Sequence, residues 1–530
     1  VSVAWEDLVG TALLGTERRR PTGLVGDAEE AAAALLDAAA ETVVRRRAGV
    51  RPGVAGPRPR EAPHDPRPLP PPAARRRLAT MLAEGGRGRS GGGGPSLGEL
   101  LPQWLAAAVR HGYAAPAELL PALLDAARAR TDLRPDTLAF AGPRALWLAE
   151  LNPDWRYALR AGGGGPVAAG AADDAAVRRQ LWEEGLFAER VALLTALRRS
   201  DPAVALDLLT SAWRTERAED RLMFVDALRT GLSAADEPFL EQALSDRSRN
   251  VRATAAELLS ALPGSALAGR MAARARSCVS LGARGVTVEA PYACDAGMER
   301  DGVVAKPPAG RGERSWWLGQ LVDAAPLSTW TERFGGRTPE EIVALPVLDD
   351  WQPDLHAAWC RAAVRQRDAA WARALLGPAP AASPAGSAVV AVAPAGDPAK
   401  LLAVLPEPER AAWVARYVAA NGLSDAFQML GACAVPWSGE LGKAVIDALD
   451  IARDGGSYPW SFSGVMGLAE RCVDPSSAEQ VAVLGAAAEE GPHGTPGAGA
   501  YWAEAFQRLA STLRLRAAML AELAEPAEPA

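Results

Sequence analysis

Four histidines, five cysteines and a scatter of carboxylates are the residues of this 530-residue chain best able to do chemistry, and their spacing decides what kind. A zinc site needs three or four ligands at short spacing. His64, His111, His356 and His493 stand apart, and Cys278, Cys294, Cys360, Cys433 and Cys472 form no Cys-x-x-Cys pair. His356 and Cys360 are the exception, four residues apart on an expected helix and therefore able to touch. Beside Trp359 they read as a packed helix face, not as a nucleophile with its base. Asp295, Glu299 and Asp301 could hold a divalent cation in a loop, but the ligand order of an EF-hand is missing, so a solvated turn is expected. The glycine run Gly162–Gly165 lacks the strand and capped helix that cradle a phosphate, and is read as a loop. No catalytic, cofactor or metal residue is assigned, and the chain is expected to bind rather than to catalyse.

Charge narrows the field further. Lys and Arg total 57 against 64 Asp and Glu, a net charge of −7, which argues against a dedicated nucleic-acid binder while allowing a local basic patch. Nearly all of the positive charge is arginine, since Lys306, Lys400 and Lys443 are the only lysines. The one strongly basic region runs from Arg45 to Arg89, where the acids are Glu61, Asp65 and Glu84; it is read as a solvated linker. The stretch VSVAWEDLVG lacks a basic-then-apolar leader pattern, no run approaches a membrane span, and the odd, scattered cysteines suit a reducing cytoplasm.

The elements that must position any site are helices. The stretch Asp236–Met271 is a complete helical hairpin in outline. Phe239, Leu240, Ala243 and Leu244 share one side of a short helix with Pro238 in its first turn. Ser248 is placed to cap a second helix whose Val251, Ala255, Leu258, Leu259 and Leu262 follow a period of about 3.6. Pro263-Gly264 ends it. Such a hairpin cannot bury both its faces alone and needs stacked neighbours. Upstream, helices over Phe187–Arg199, from Asp201-Pro202 onward and over Ala218–Thr230 repeat the pattern. Glu189-Arg190 and Asp220-Arg221 at their starts read as inter-helix ladders. The segment Gly285–Lys306 is β-branched between turn residues and predicts a small hairpin or strap; a short strand is expected at Ala388–Val392. Sixteen tryptophans are many for this length, and several concentrate between Trp316 and Trp371. Most are expected in helix-to-helix cores, with Trp316, Trp317 and Trp330 as candidate partner anchors.

The phrase Asp246, Val251, Arg252, Ala255 and Leu258-Leu259 resembles the second half of a HEAT-type repeat. In that family an Asp near the turn and an Arg early in the second helix form polar ladders, which implies ladder roles for Asp201, Asp246 and Arg252. Longer phrases, among them GTALLGTERRRP, GPRALWLAELNPDW, LWEEGLFAERVALLTALRRSDP and ERSWWLGQLVDAAPLSTW, resemble a bacterial helical-repeat family, domain of unknown function 5691. That resemblance carries no catalytic residues to transfer. It implies a helper or adaptor role beside a SWIM zinc-finger protein, a MoxR-type AAA ATPase and a von Willebrand A-domain protein.

The expected fold is mainly α: an α-solenoid of HEAT-like helical hairpins with a small β-hairpin insertion and a second helical block. Its parts are N-terminal helices over 1–50, an Arg/Pro/Gly-rich flexible linker with one short helix over 51–96, and HEAT-like repeats over 97–280. A β-hairpin or strap over 281–314, a helical block over 315–520 and a disordered tail over 521–530 complete it. The expected function is a non-catalytic scaffold that binds other proteins; the alternative is a HEAT-like nucleic-acid-binding or base-repair protein.

Overall fold

Several helix starts are realised as hydrogen bonds, although Ser248, expected to cap the helix after it, stands at the cap position without a side-chain bond. Asp201, Asp295, Thr338, Asp368 and Asp397 each turn a side-chain oxygen onto a free N–H of the helix that follows, satisfying donors that the first turn leaves unpaired. Pro202, Pro339 and Pro398 follow three of these caps directly, where a missing N–H costs nothing. The computed structural model describes residues 5–18, 28–48, 60–85, 97–161, 175–378, 396–437, 439–486 and 498–525. Among them the protein is mainly helical, with one two-stranded antiparallel sheet. The chain divides into two units, residues 1–62 and 63–530.

The first unit pairs α1 (Trp5–Leu14) with α2 (Ala28–Arg47) through Leu8, Thr11, Ala31 and Leu35. The Arg46 guanidinium lies 4.8 Å from the centre of the Trp5 ring.

The second unit begins with α3 (Pro72–Gly85), α4 (Leu97–Arg110), α5 (Leu120–Ala129), α6 (Arg134–Leu151) and α7 (Tyr157–Ala161). Trp104 and Phe140 meet edge to face at the centre of their core. The short helix expected within 51–96 is α3, and the extended residues 63–71 before it are tied to the fold, the Pro68 carbonyl accepting the Ala114 N–H at 2.8 Å. Gly142 (φ 57°, ψ −147°) and Pro143 kink α6, and Pro143 has no N–H to offer the carbonyl a turn earlier. Arg67 supplies a donor to the Ala139 carbonyl at 2.8 Å and a second one, beside the Ala115 N–H at 3.0 Å, to the Phe140 carbonyl at 3.1 Å. Asp65 holds Arg67 in place at 2.7 Å, and that hydrogen bond keeps the Asp65 carboxyl below its usual range.

Stacked helical hairpins follow. In chain order they are α8 (Ala175–Glu184), α9 (Phe187–Ser200), α10 (Pro202–Ala212), α11 (Ala218–Ala227), α12 (Glu237–Ala243), α13 (Arg249–Ser260) and α14 (Ala266–Cys278). Strands β1 (Val279–Gly282) and β2 (Gly285–Val288) and helix α15 (Ala296–Arg300) interrupt the series. It resumes with α16 (Glu313–Ala324), α17 (Ser328–Arg333), α18 (Pro339–Val343), α19 (Gln352–Gln366), α20 (Ala369–Leu376), α21 (Pro398–Val404), α22 (Glu407–Asn421), α23 (Leu423–Leu430) and α24 (Gly439–Asp454). Alternate helices pack on one another: α9 on α11 on α13, then α14 on α16 on α19 on α21 on α23, with α22 on α24 alongside. This is the stacking that amphipathic hairpins require, and it puts one apolar core through the whole series.

The chain ends with α25 (Ser463–Cys472), α26 (Ala478–Ala486) and the 27-residue α27 (Ala498–Ala524). Helix α27 joins the two cores. Trp502, Phe506, Leu509 and Leu513 enter the core of the stack, whereas Met519 and Leu523 enter the core built on α3 to α7. Glu522 pairs with Arg77 at 2.6 Å, and Leu523 has no exposed surface, so residues 521–525 are an anchored helix end and not a disordered tail.

The hairpin is also displaced from its expected position. Val279 pairs with Val288 and Gly282 with Gly285, so the first strand is VSLG. The second half of the expected strap is helix α15 and a turn. Asp295 caps that helix at the Met298 N–H (2.7 Å), and Asp301 is taken by Arg270 and Arg274 at 2.8 and 2.6 Å. The expected loop at Gly162–Gly165, the strand at Ala388–Val392, the glycine tract 86–95 and the last residues of the tail, 526–530, lie outside the described residues.

Candidate binding cleft

Two helical layers leave a cleft of about 1010 Å³ between them. One wall is the turn Arg229–Leu232 after α11 and the last turns of α13, with Glu257, Leu258 and Ala261. The facing wall is the second half of α19, from Ala357 to its C-terminal cap Arg367. Gly396, Asp397, Lys400 and Leu401 close one end. Half-buried Leu232, Ala261, Ala357 and Val364 give the cleft an aliphatic floor.

The rim is cationic. Arg229, Arg361, Arg365, Arg367 and Lys400 line it, against Glu257 and Asp397. Arg229 bonds Glu257 through two parallel contacts of 2.7 and 2.8 Å and Asp226 at 2.7 Å. Its hydrogen bonds hold the Glu257 carboxyl below the usual range against the opposing effect of burial. Arg361 and Arg365, one helical turn apart, converge on a single oxygen of Asp323 at 3.3 and 3.0 Å. Two guanidiniums share one carboxylate there, so the pair keeps net positive charge. Lys400 sits 3.6 Å from Asp397.

Arg367 differs from the rest. It caps α19 in the left-handed region, at φ 54° and ψ 41°. An ordinary side chain loses roughly 1–2 kcal/mol in that conformation, and glycine is the residue that usually supplies it. The Arg367 side chain is exposed and has no hydrogen-bond or ion-pair partner among the described residues. A strained backbone carrying a free cation is thus aimed into the rim of the cleft.

The first wall is braced from behind. Arg198 and Asp236, with side chains 0% and 1% exposed, form two parallel bonds of 2.8 Å. The same guanidinium donates to the Thr230 and Gly231 carbonyls at 2.9 and 2.8 Å. Gly231 has φ 65°, and a Cβ there would lie 2.7 Å from the Arg198 carbonyl oxygen. Glycine is therefore required where this wall turns.

Cys360 is the thiol in the cleft wall. It is 4% exposed, and burial pushes its pKa up to about 11, so it stays protonated at neutral pH and is a poor nucleophile. His356, one turn earlier, lies 5.5 Å from the Trp359 ring. Burial lowers its pKa, favouring neutral imidazole.

The residues singled out from the sequence fall elsewhere. Asp201 bonds the Val204 N–H of its own helix and forms no rung. Asp246 accepts from Arg221 at 3.0 Å and from the Ser248 N–H at 2.7 Å. Arg252 reaches the backbone oxygens of Asp246 and Arg247 instead of a carboxylate. Rungs between hairpins include Arg221–Asp246, Arg190–Glu216, Arg229–Glu257 and Arg270–Glu241. The tryptophans are corrected too. Trp330 is fully buried against Trp359, and Trp317 is 6% exposed. Trp316 and Trp317 donate to the Val304 and Ala305 carbonyls; Trp317 and Trp330 are core side chains, whereas Trp316 is half-buried and keeps part of its surface exposed. Asp301 is likewise buried, not solvated; burial raises its pKa, but the Arg270 and Arg274 bonds outweigh this and hold it low.

The sequence did carry one overlooked signal for the cleft: RAAVRQR, three arginines between Arg361 and Arg367 at a helix end. The opposite wall lies about a hundred residues earlier and has no local signature.

A family model described as a family of unknown function, DUF5691, matches residues 7–523. No curated protein and no solved structure matches the chain. Since the match covers nearly the whole sequence, the chain belongs to the DUF5691 family.

Proposed function

We propose that this protein is a non-catalytic helical scaffold that seats a partner protein in the cleft between α13 and α19. The observation that supports this is the cleft itself, an aliphatic floor under a cationic rim whose wall is braced by the buried Arg198–Asp236 pair. The thiol in its wall is held protonated by burial. Binding sites on repeat stacks form in this way, between layers that neighbouring hairpins hold rigid. The proposed partner is a MoxR-type AAA ATPase or a von Willebrand A-domain protein, as the resemblance of the sequence implies. The proposed location is the cytoplasm, where Cys278, Cys360 and Cys433 would stay as the buried thiols they are. No helix among the described residues is long and apolar enough to cross a membrane.

The test is co-purification of the full chain with each candidate partner, followed by cross-linking. Cross-links are expected on Lys400 and around Arg365, and Lys400→Glu should reduce recovery of the partner. Recovery of the chain alone, or a complex indifferent to charge reversal in the cleft, would refute the proposal.

A further inference from the structure

We infer that the cleft recognises an acidic linear segment carrying an aliphatic anchor residue; this rests on the scaffold role above and names the chemistry of the partner. Four half-buried aliphatic side chains, Leu232, Ala261, Ala357 and Val364, form the floor. They accept one or two apolar side chains of a guest. The cations lie around them, so carboxylates next to the anchor meet guanidiniums.

Charge balance supports an anionic guest. Arg361, Arg365 and Arg367 crowd the last two turns of α19 while Asp323 neutralises one of them. The carboxyl end of a helix carries roughly half a negative charge, so the α19 wall keeps a positive excess, whereas Arg229 is balanced by Glu257 and Asp226 and Lys400 by Asp397. Arg367 adds an independent observation. Its left-handed backbone would be relieved by glycine, and its guanidinium has no partner among the described residues. The helix dipole favours a cation near that end, but Arg365 already supplies one, and a ligand carboxylate accounts for a second at a strained position.

A protein segment suits the cleft better than a nucleic acid. Single strands are held by basic grooves in which aromatic side chains stack on the bases, and the lining contains no aromatic side chain among the described residues. Glu257 and Asp397 interrupt the rim and would repel a backbone charged at every step. A peptide can direct its N–H groups to those two carboxylates and its acidic side chains to the arginines.

The experiment titrates the full chain into a fluorescein-labelled peptide of glutamates around one leucine, read by anisotropy. Saturable binding that weakens with added salt is expected. Arg367→Gly should weaken it roughly tenfold, the equivalent of one charge-assisted hydrogen bond, while leaving the melting temperature unchanged or higher. Arg367→Lys should restore most of the affinity, and replacing the peptide's leucine with serine should lower it. Equal binding of a lysine peptide, or no effect of Arg367→Gly, would overturn the inference. An oligothymidylate bound more tightly than the peptide, in an Arg367-dependent way, would overturn it in favour of nucleic acid. If a partner protein still binds in the co-purification while the acidic peptide does not, the inference fails alone; if neither binds, the scaffold role fails with it.

Discussion

Replacing Asp236 with alanine should destabilise the hairpin stack by several kcal/mol, although the residue touches no ligand. Its carboxylate is 1% exposed and forms two 2.8 Å bonds with Arg198, whose side chain is 0% exposed. Removing it leaves a guanidinium in the core with only the Pro202, Leu228, Thr230 and Gly231 carbonyls for partners. Breaking such a buried pair from one side costs about 3–5 kcal/mol, because the remaining charge is uncompensated. Asp236 also accepts the Ser233 N–H at 2.9 Å, and losing a cap of that kind costs about 0.5–2 kcal/mol. The two losses share one side chain and do not simply add, so about 3–5 kcal/mol is the expected total. Arg198→Met combined with Asp236→Leu should recover most of it, since an apolar pair leaves no orphan charge. Urea unfolding followed by hydrogen exchange over residues 187–260 measures the effect where it arises. The cleft should respond first, because Arg198 holds the Gly231 carbonyl in its wall. A loss below about 1 kcal/mol, the ordinary worth of an exposed pair, would refute the view that this pair braces the stack.

Gly142→Ala should cost about 1–3 kcal/mol, since φ 57° with ψ −147° is a glycine conformation and the new Cβ would lie 2.4 Å from Arg67 Nη2; a thermal-shift assay measures it, and a neutral outcome would remove the Arg67 cap from the account. Cys360, with its thiol at about 11, should react with iodoacetamide at pH 8 roughly two orders of magnitude more slowly than a free cysteine; mass spectrometry of the labelled peptide decides. The Glu257 carboxyl is held low by Arg229, so the stability it contributes is present above the unfolded value near 4.3 and is lost as pH falls through the lower folded value. A double-mutant cycle of Arg229→Gln and Glu257→Gln should therefore show a coupling of at most about 1 kcal/mol at pH 7 and less at pH 3.

Much of this protein was determined by the sequence alone, and the reason is local. Proline starts and the period of Val251, Ala255, Leu258 and Leu259 are short-range properties, so the α13 hairpin formed where the pattern put it, with those four side chains buried, even though Ser248 makes no side-chain cap bond. The stacking followed from its unburied face. Tertiary structure decided the polar pairings. Nothing near Asp246 announces that Arg221 will bind it, and nothing near Arg67 announces the carbonyls of a kinked helix some seventy residues later. A proline-rich stretch without periodicity therefore looked like a linker when its arginine was a cap. The strands are local by contrast: VSLG and GVTV pair because a tight turn sets their register. The cleft is the clearest case. Its cations are ordinary helix-surface arginines until the packing of α13 and α19 brings separate segments around one cavity, and a long-range fold, not any stretch of sequence, makes them a site.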